Sequence, residues 1–249
     1  MAMLPQYDLN KIKFATDEGT FQRAVCLYET GKVTEIEALG EYVSAVVLGT
    51  EPYRVSVSVR NYKKGHCTCY LGQNDKLCKH MVALALHVVM NGRLLGETDK
   101  QSNNNVACSK RREVLSKEGL TEIKRSISEA VRYIKPYSGP SRTWFANQDS
   151  LSEGCNRLSA IVSDLPVNTQ SAEVLLKLLL RLDKKLIAGG VDDSNGIVGG
   201  FMNEVVGVLE EFARIDPKCI DAFKAVVGIG TTCFGWEEPL VRIWDETRE

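Results

Sequence analysis

HCTCYLGQNDKLCKHMVALALHVVM, residues 66–90, holds Cys67, Cys69, Cys78 and His80 within fourteen positions and then runs into an apolar segment of helical character. Three thiolates and one imidazole complete a tetrahedral zinc shell and leave no coordination position for water or substrate. Alternate side chains of an extended segment point the same way, so Cys67 and Cys69 at a strand end present both sulfurs to one ion. Cys78 and His80 follow an eight-residue loop containing Gly72 and fall where a helix begins. One structural Zn²⁺ then joins a strand end to a helix start, and an apparent binding free energy on the order of 10 kcal/mol suffices to fold a small sheet–helix unit.

Upstream of the ligands, Thr16 and Asp17 offer N-caps for a helix through FQRAVCLYET, and Gly31 ends it. Three β-like runs follow: KVTEIEAL, with Val33 and Ile36 among its apolar residues, YVSAVVLG, and YRVSVSVR, where Val55, Val57 and Val59 alternate with polar neighbours. Period two with polar residues between predicts a half-buried, three-stranded antiparallel meander leading straight into the ligands, with Gly49–Pro52 as the tight connection.

Downstream, GETDKQSNNNVACS (96–109) is polar and lacks apolar periodicity, which predicts a flexible linker. Leu120, Ile123, Ile127, Val131 and Ile134 then share one helical face, and Pro136 stops that helix. Trp144 and Phe145 are expected as anchors before a helix from about Leu151 to Val162. SAEVLLKLLLRLDKKLIAGG, FMNEVVGVLEEFARI, DPKCIDAFKAVVG and PLVRIWDE supply further helices. The expected fold class is α+β: a small antiparallel β-meander plus helix stapled by one zinc ion, followed by an all-α helical, solenoid-like region. The expected domains are residues 1–95 (N-terminal helix and zinc module), the polar linker 96–109 and the α-helical domain 110–249.

Composition narrows the function classes. With 249 residues and 44% hydrophobic content the chain can bury a sizeable core. The apolar run Met81–Met90 is about half the length a membrane span needs. The start, MAMLPQYDLNKIKF, lacks the basic-then-apolar order of a secretory signal, so a cytoplasmic protein is expected, nuclear if eukaryotic. A tight cysteine cluster argues for metal in a reducing compartment, and Cys26, Cys108, Cys155, Cys219 and Cys233 are expected as buried inert thiols. The net charge of −1 is unevenly placed: residues 1–50 hold 4 Lys+Arg and 7 Asp+Glu (−3), residues 51–142 hold 17 and 8 (+9), and residues 143–249 hold 10 and 17 (−7). A basic segment around a metal site is compatible with an anionic partner.

Cys-x-Cys, a short loop and Cys-x-His at a helix start resemble the SWIM zinc-finger family. Pro52-Tyr53-Arg54-Val55 and Cys78-Lys79-His80-Met81-Val82 extend the resemblance, which covers about residues 30–92. Arg142-Thr143-Trp144 and Val191-Asp192-Asp193-Ser194-Asn195-Gly196 are similar to segments of prokaryotic members with a helical C-terminal extension. The resemblance implies that Cys67, Cys69, Cys78 and His80 bind one zinc ion and that the chain interacts with DNA or with other proteins. Swi/Snf-type ATPases, transposases and recombination factors are the company it implies; catalysis is not implied.

Other patterns are weaker. No His-x-Glu with Pro-Cys-x-x-Cys and no Gly-x-x-x-x-Gly-Lys occurs, so no enzyme activity and no small-molecule substrate are expected. Arg60, Lys63, Lys64, Lys76, Lys79 and Arg93, with Tyr53, Tyr62 and Tyr70 interleaved, are candidates for tracking a phosphate backbone. Lys110, Arg111, Arg112, Lys117, Lys124, Arg125 and Arg132 can extend that track or serve as solvated charges. His66 and His87 read as a loop and a helix histidine rather than ligands, and Asp192-Asp193-Ser194 fits helix capping better than a calcium loop, whose sixth-position glycine is replaced by Ile197. Two functions stay open: a DNA-binding or DNA-associated adaptor, and a protein–protein adaptor that docks an ATPase or recombination partner through the acidic helical region.

Overall fold

The computed structural model describes residues 4–100 and 105–248. Internal contacts divide the chain into two units, Met1–Ser102 and Asn103–Glu249.

In the first unit, α1 (Leu9–Phe14) and α2 (Glu18–Glu29) start at aspartates whose carboxylates accept from backbone amides: Lys11 N to Asp8 at 2.7 Å and Thr20 N to Asp17 at 2.9 Å. Gly31 takes φ +66° just past α2, and the chain turns at once into the sheet. β1 (Val33–Leu39), β2 (Tyr42–Leu48) and β3 (Pro52–Ser58) form an antiparallel meander in which Val43 faces Val57 and Ala45 faces Val55. These valines are buried, as the alternation predicts. β1 departs from it. A bulge between Thr34 and Glu37, with Glu35 at φ +51°, leaves Ile36 and Leu39 exposed on an edge strand.

The meander has four strands where the sequence predicts three. β4 (Gly65–Cys67) pairs with β3, Val57 opposite Gly65 and Val55 opposite Cys67. Three residues with one small apolar side chain carry no readable alternation. The pairing also depends on Gly65, because a Cβ there would lie 2.1 Å from the Ser56 carbonyl oxygen. After α3 (Tyr70–Gln73) comes α4 (Lys79–Met90), which packs on α2 on one side and on β3 and β2 on the other. That sandwiching explains why Met81 through Leu86 are all buried, more than a single-faced helix allows.

The expected linker 96–109 is largely ordered. Residues 101–104 lie outside the described residues, but α5 (Glu97–Lys100) is pinned within the first unit by Lys13 Nζ to the Thr98 carbonyl (2.7 Å) and by a Lys100–Glu29 ion pair (3.0 Å). Residues 105–109 are strapped to the second unit by Val106 N to Glu204 (3.2 Å), Ala107 N to Ser163 (3.0 Å) and Ser109 Oγ to the Leu165 carbonyl (2.7 Å). Lack of apolar periodicity marks a segment without a long helix or a strand, not one without partners.

The second unit is helical: α6 (Lys117–Val131), α7 (Trp144–Asp164), α8 (Thr169–Ile187), α9 (Ile197–Ile215), a 3-10 helix (Pro217–Val226) and α10 (Glu238–Glu246). The 3-10 helix stands where DPKCIDAFKAVVG predicts an α-helix, with Asp216 capping it as expected. In a stack of helix pairs each repeat touches only neighbouring repeats, so a helix meets the helices one and two places away along the chain. Here α9 touches α7, α8, the 3-10 helix and α10, and the core gathers around it, with Leu151, Leu158, Leu175, Leu179, Leu209, Phe212 and Phe223 all fully buried.

α7 begins about two turns earlier than the sequence predicts. Trp144 Nε1 donates to Asp192 Oδ2 (3.0 Å) and Gln148 Nε2 to the Asp192 carbonyl (2.8 Å), which ties the added turns to the loop before α9. The two segments singled out by resemblance in this half therefore meet. Phe145 is no anchor; it is 74% exposed. The aspartates of that loop cap as expected: Asp193 accepts from Val198 N and Gly199 N, both at 2.8 Å, and Asp192 from Ser194 N at 3.1 Å. Of the five scattered cysteines only Cys155 and Cys219 are buried; Cys108 and Cys233 are half-buried and Cys26 is exposed, so burial was the wrong expectation for three.

Candidate metal centre

Cys67 closes β4, Cys69 is the N-cap of α3, Cys78 is the N-cap of α4 and His80 sits in the first turn of α4. The first pair is therefore not two alternate residues of one strand; the chain leaves the sheet between them and Cys69 already opens a helix. Their ligand atoms nonetheless converge within 4.8 Å of one another, and all four residues are buried.

This donor set fits zinc. With Zn–S near 2.3 Å and Zn–N near 2.05 Å, a tetrahedron separates sulfur from nitrogen by roughly 3.6 Å. Here His80 Nδ1 lies 3.7 Å from Cys67 Sγ and 3.9 Å from Cys78 Sγ. Three sulfurs and an imidazole nitrogen, shielded from water, form a closed structural site that can hold one zinc ion, by the chemistry inferred from the spacing.

The surroundings favour thiolate at Cys78. Backbone amides of Cys69 and Gly72 point at Cys67 Sγ (3.5 Å) and Cys69 Sγ (3.4 Å). Hydrogen bonding from Cys67, from His80 and from the Met81 amide at the start of α4 lowers the Cys78 pKa, while the bond to Cys78 and burial raise that of Cys67. Gly72 is required at its place, since a Cβ would meet the Cys67 carbonyl oxygen at 2.3 Å.

Two residues that the ligand motif does not announce orient the histidine. Tyr53 stacks on the His80 ring, centroids 4.3 Å apart at 27°, and its hydroxyl is hydrogen-bonded to Thr50 Oγ1 at 2.8 Å. Gly49 borders the other ring nitrogen: a Cβ there would stand 3.0 Å from Nε2 and 2.9 Å from the Tyr53 ring. Nε2 is buried and without a hydrogen-bond partner among the described residues. Its partner-free pocket leaves Nδ1 as the nitrogen that faces the sulfurs. In the sequence, Tyr53 stands out only as part of the Pro52-Tyr53-Arg54-Val55 resemblance and Gly49 only as part of the β2–β3 connection.

Residues 53–89 match the SWIM zinc finger family. The match spans β3, the four ligands and most of α4, and it lies within the stretch whose motif resembles that family. No curated protein and no solved structure gives a significant match to the chain. A SWIM zinc finger is a binding module, and the closed ligand set accords with that.

The six basic candidates fall in three places. Arg60, Lys63 and Lys64 surround the β3–β4 turn, Lys76 and Lys79 adjoin the ligands, and Arg93 follows the far end of α4. The twelve residues of α4, about 18 Å of helix, lie between the ligand end that carries Lys79 and the end that Arg93 follows. Arg60 pairs with Glu41. His66 is exposed on β4, and His87 lies edge-on to Tyr28 at 6.0 Å, with burial lowering its pKa; neither joins the metal cluster. No described helix is long and apolar enough to cross a membrane.

Proposed function

We propose that the chain is a protein-interaction adaptor: the zinc-bound SWIM unit provides a folded support and a partner protein docks on the helical unit. The observation that carries this reading is the fate of the basic segment 51–142. It is divided between the two units, with 8 Lys+Arg against 4 Asp+Glu in residues 51–102 and 9 against 4 in residues 103–142. The whole first unit holds 12 Lys+Arg against 11 Asp+Glu. Several of the arginines are engaged within the fold. Arg111 bonds Asp164 and its carbonyl at the end of α7, Arg112 bonds the Ile215 carbonyl at the end of α9, and Arg125 pairs with Glu122 at 2.6 Å. Guanidinium groups on terminal carbonyls cap helices and complement their dipoles, so they are less available to phosphate.

DNA association is the second reading, favoured by Lys64 and Lys76, which are exposed near the metal unit, and by Tyr70, 81% exposed on α3. Cross-linking of the full chain in its native host followed by mass spectrometry tests the first reading. Cross-links from a co-purifying protein are expected on residues 143–248. Cross-links confined to residues 4–100, or salt-sensitive binding of duplex or single-stranded DNA in place of a protein partner, would overturn it.

A further inference from the structure

Two clefts flank α10 in the helical unit. One, lined by Glu210, Ala213, Arg214, Ile220 and Ile243, carries one acid and one base. The other has a volume of about 460 Å³ and an uneven lining: Val226, Ile229 and Val241 form an apolar floor, and Glu237, Glu238, Asp245 and Glu246 stand along the rim against a single base, Arg242. Glu238, Arg242, Asp245 and Glu246 are exposed, and none of their side chains has a hydrogen bond or ion pair among the described residues. The carboxylates of Glu238, Asp245 and Glu246 are therefore not spent on holding α10 in place, whereas that of Glu237 accepts from Thr232 Oγ1. α10 rests on the 3-10 helix and α9 through Leu240 and Trp244, on its opposite side, so the groove side of the helix is left open.

We propose that this groove docks a basic amphipathic helix of a partner protein, with aliphatic side chains on the floor and lysines or arginines against the rim. The proposal rests on the adaptor reading above and names its partner's chemistry. Charge selects the occupant. A second copy using the same patch would place four carboxylates opposite four, which is unfavourable in a self-complementary interface. Nucleic acid and anionic membrane surfaces are repelled for the same reason. The nine residues of α10 give the groove a length of about 14 Å, enough for two to three turns of a docked helix presenting anchors at i, i+3, i+4 and i+7.

Fluorescence anisotropy on the full, zinc-loaded chain tests it, with three labelled helical peptides of about twelve residues as probes: leucine–lysine in amphipathic order, alanine–lysine, and leucine–glutamate. The leucine–lysine peptide is expected to bind at least tenfold more tightly than either control. A triple variant, Glu238→Gln, Asp245→Lys and Glu246→Lys, should lose tenfold or more in affinity. It should still fold, because the side chains are exposed and lysine suits a helix C-terminus; unchanged helicity and zinc content check this. Val241→Asp in the floor should also abolish binding. Absence of leucine–lysine binding, equal binding by alanine–lysine, indifference to the triple variant, or self-association that the variant abolishes would each overturn the proposal. Native cross-links to residues 143–248 that persist in the triple variant would overturn the groove and leave the adaptor reading standing.

Discussion

In the unit Met1–Ser102 the strand β4 and the helix α4 are held together at four ligating side chains, whereas in Asn103–Glu249 the helices meet through Leu158, Leu179, Phe212 and their neighbours and need no ion. The first unit buries apolar side chains of its own, among them Phe21, Val57 and Leu84, but the part that carries Cys67 and Cys69 is a three-residue strand, a four-residue helix and a loop. Segments so short cannot bury enough surface to offset their ordering entropy. Metal is used where the chain is locally too thin for a core, and the long helices have no such deficit.

That contrast can be broken by experiment. Cys78→Ser has the largest expected effect: elemental analysis should show about one zinc per wild-type chain and close to none in the variant, with the loss of an apparent stabilisation on the order of 10 kcal/mol at the site. Phe212→Ala, in the centre of the helical core, should cost about 3–5 kcal/mol in denaturant unfolding of the second unit while zinc content stays at its wild-type value. Gly72→Ala sharpens the comparison from the other side. Its methyl group meets the Cys67 backbone, so about 1–3 kcal/mol of strain should appear as faster zinc transfer to a chromophoric chelator. Asp193→Ala removes the carboxylate that caps α9 and should lower the stability of the helical unit alone by about 1 kcal/mol, seen as a small shift in its thermal transition.

The parts of this structure that were legible in the sequence are those with strong local chemistry. Cys67, Cys69, Cys78 and His80 could be read because few other residues ligate zinc, and the β2–β3 pairing because Val55 and Val57 alternate with serines. Asp17, Asp193 and Asp216 could be read as caps because carboxylates satisfy amide groups at helix starts. What escaped was set by tertiary contact. β4 exists because β3 offers it an edge, the first turns of α7 because Asp192 receives Trp144, and the ordered part of the linker because Ser163, Leu165 and Glu204 accept hydrogen bonds along it. Gly49 and Tyr53 belong to the metal centre through a ring stack that no spacing encodes. The +9 charge block marked a stretch of sequence, and folding divided it between two units and set Arg111 and Arg112 against the carbonyls at helix ends.

Hydrogen exchange with mass spectrometry, before and after zinc chelation of the full chain, tests the staple most directly. Protection should collapse across β4, α3 and α4, residues 65–90, while α8 and α9, residues 169–187 and 197–215, keep theirs. Equal loss of protection in both units, or no loss at residues 65–90, would contradict the account.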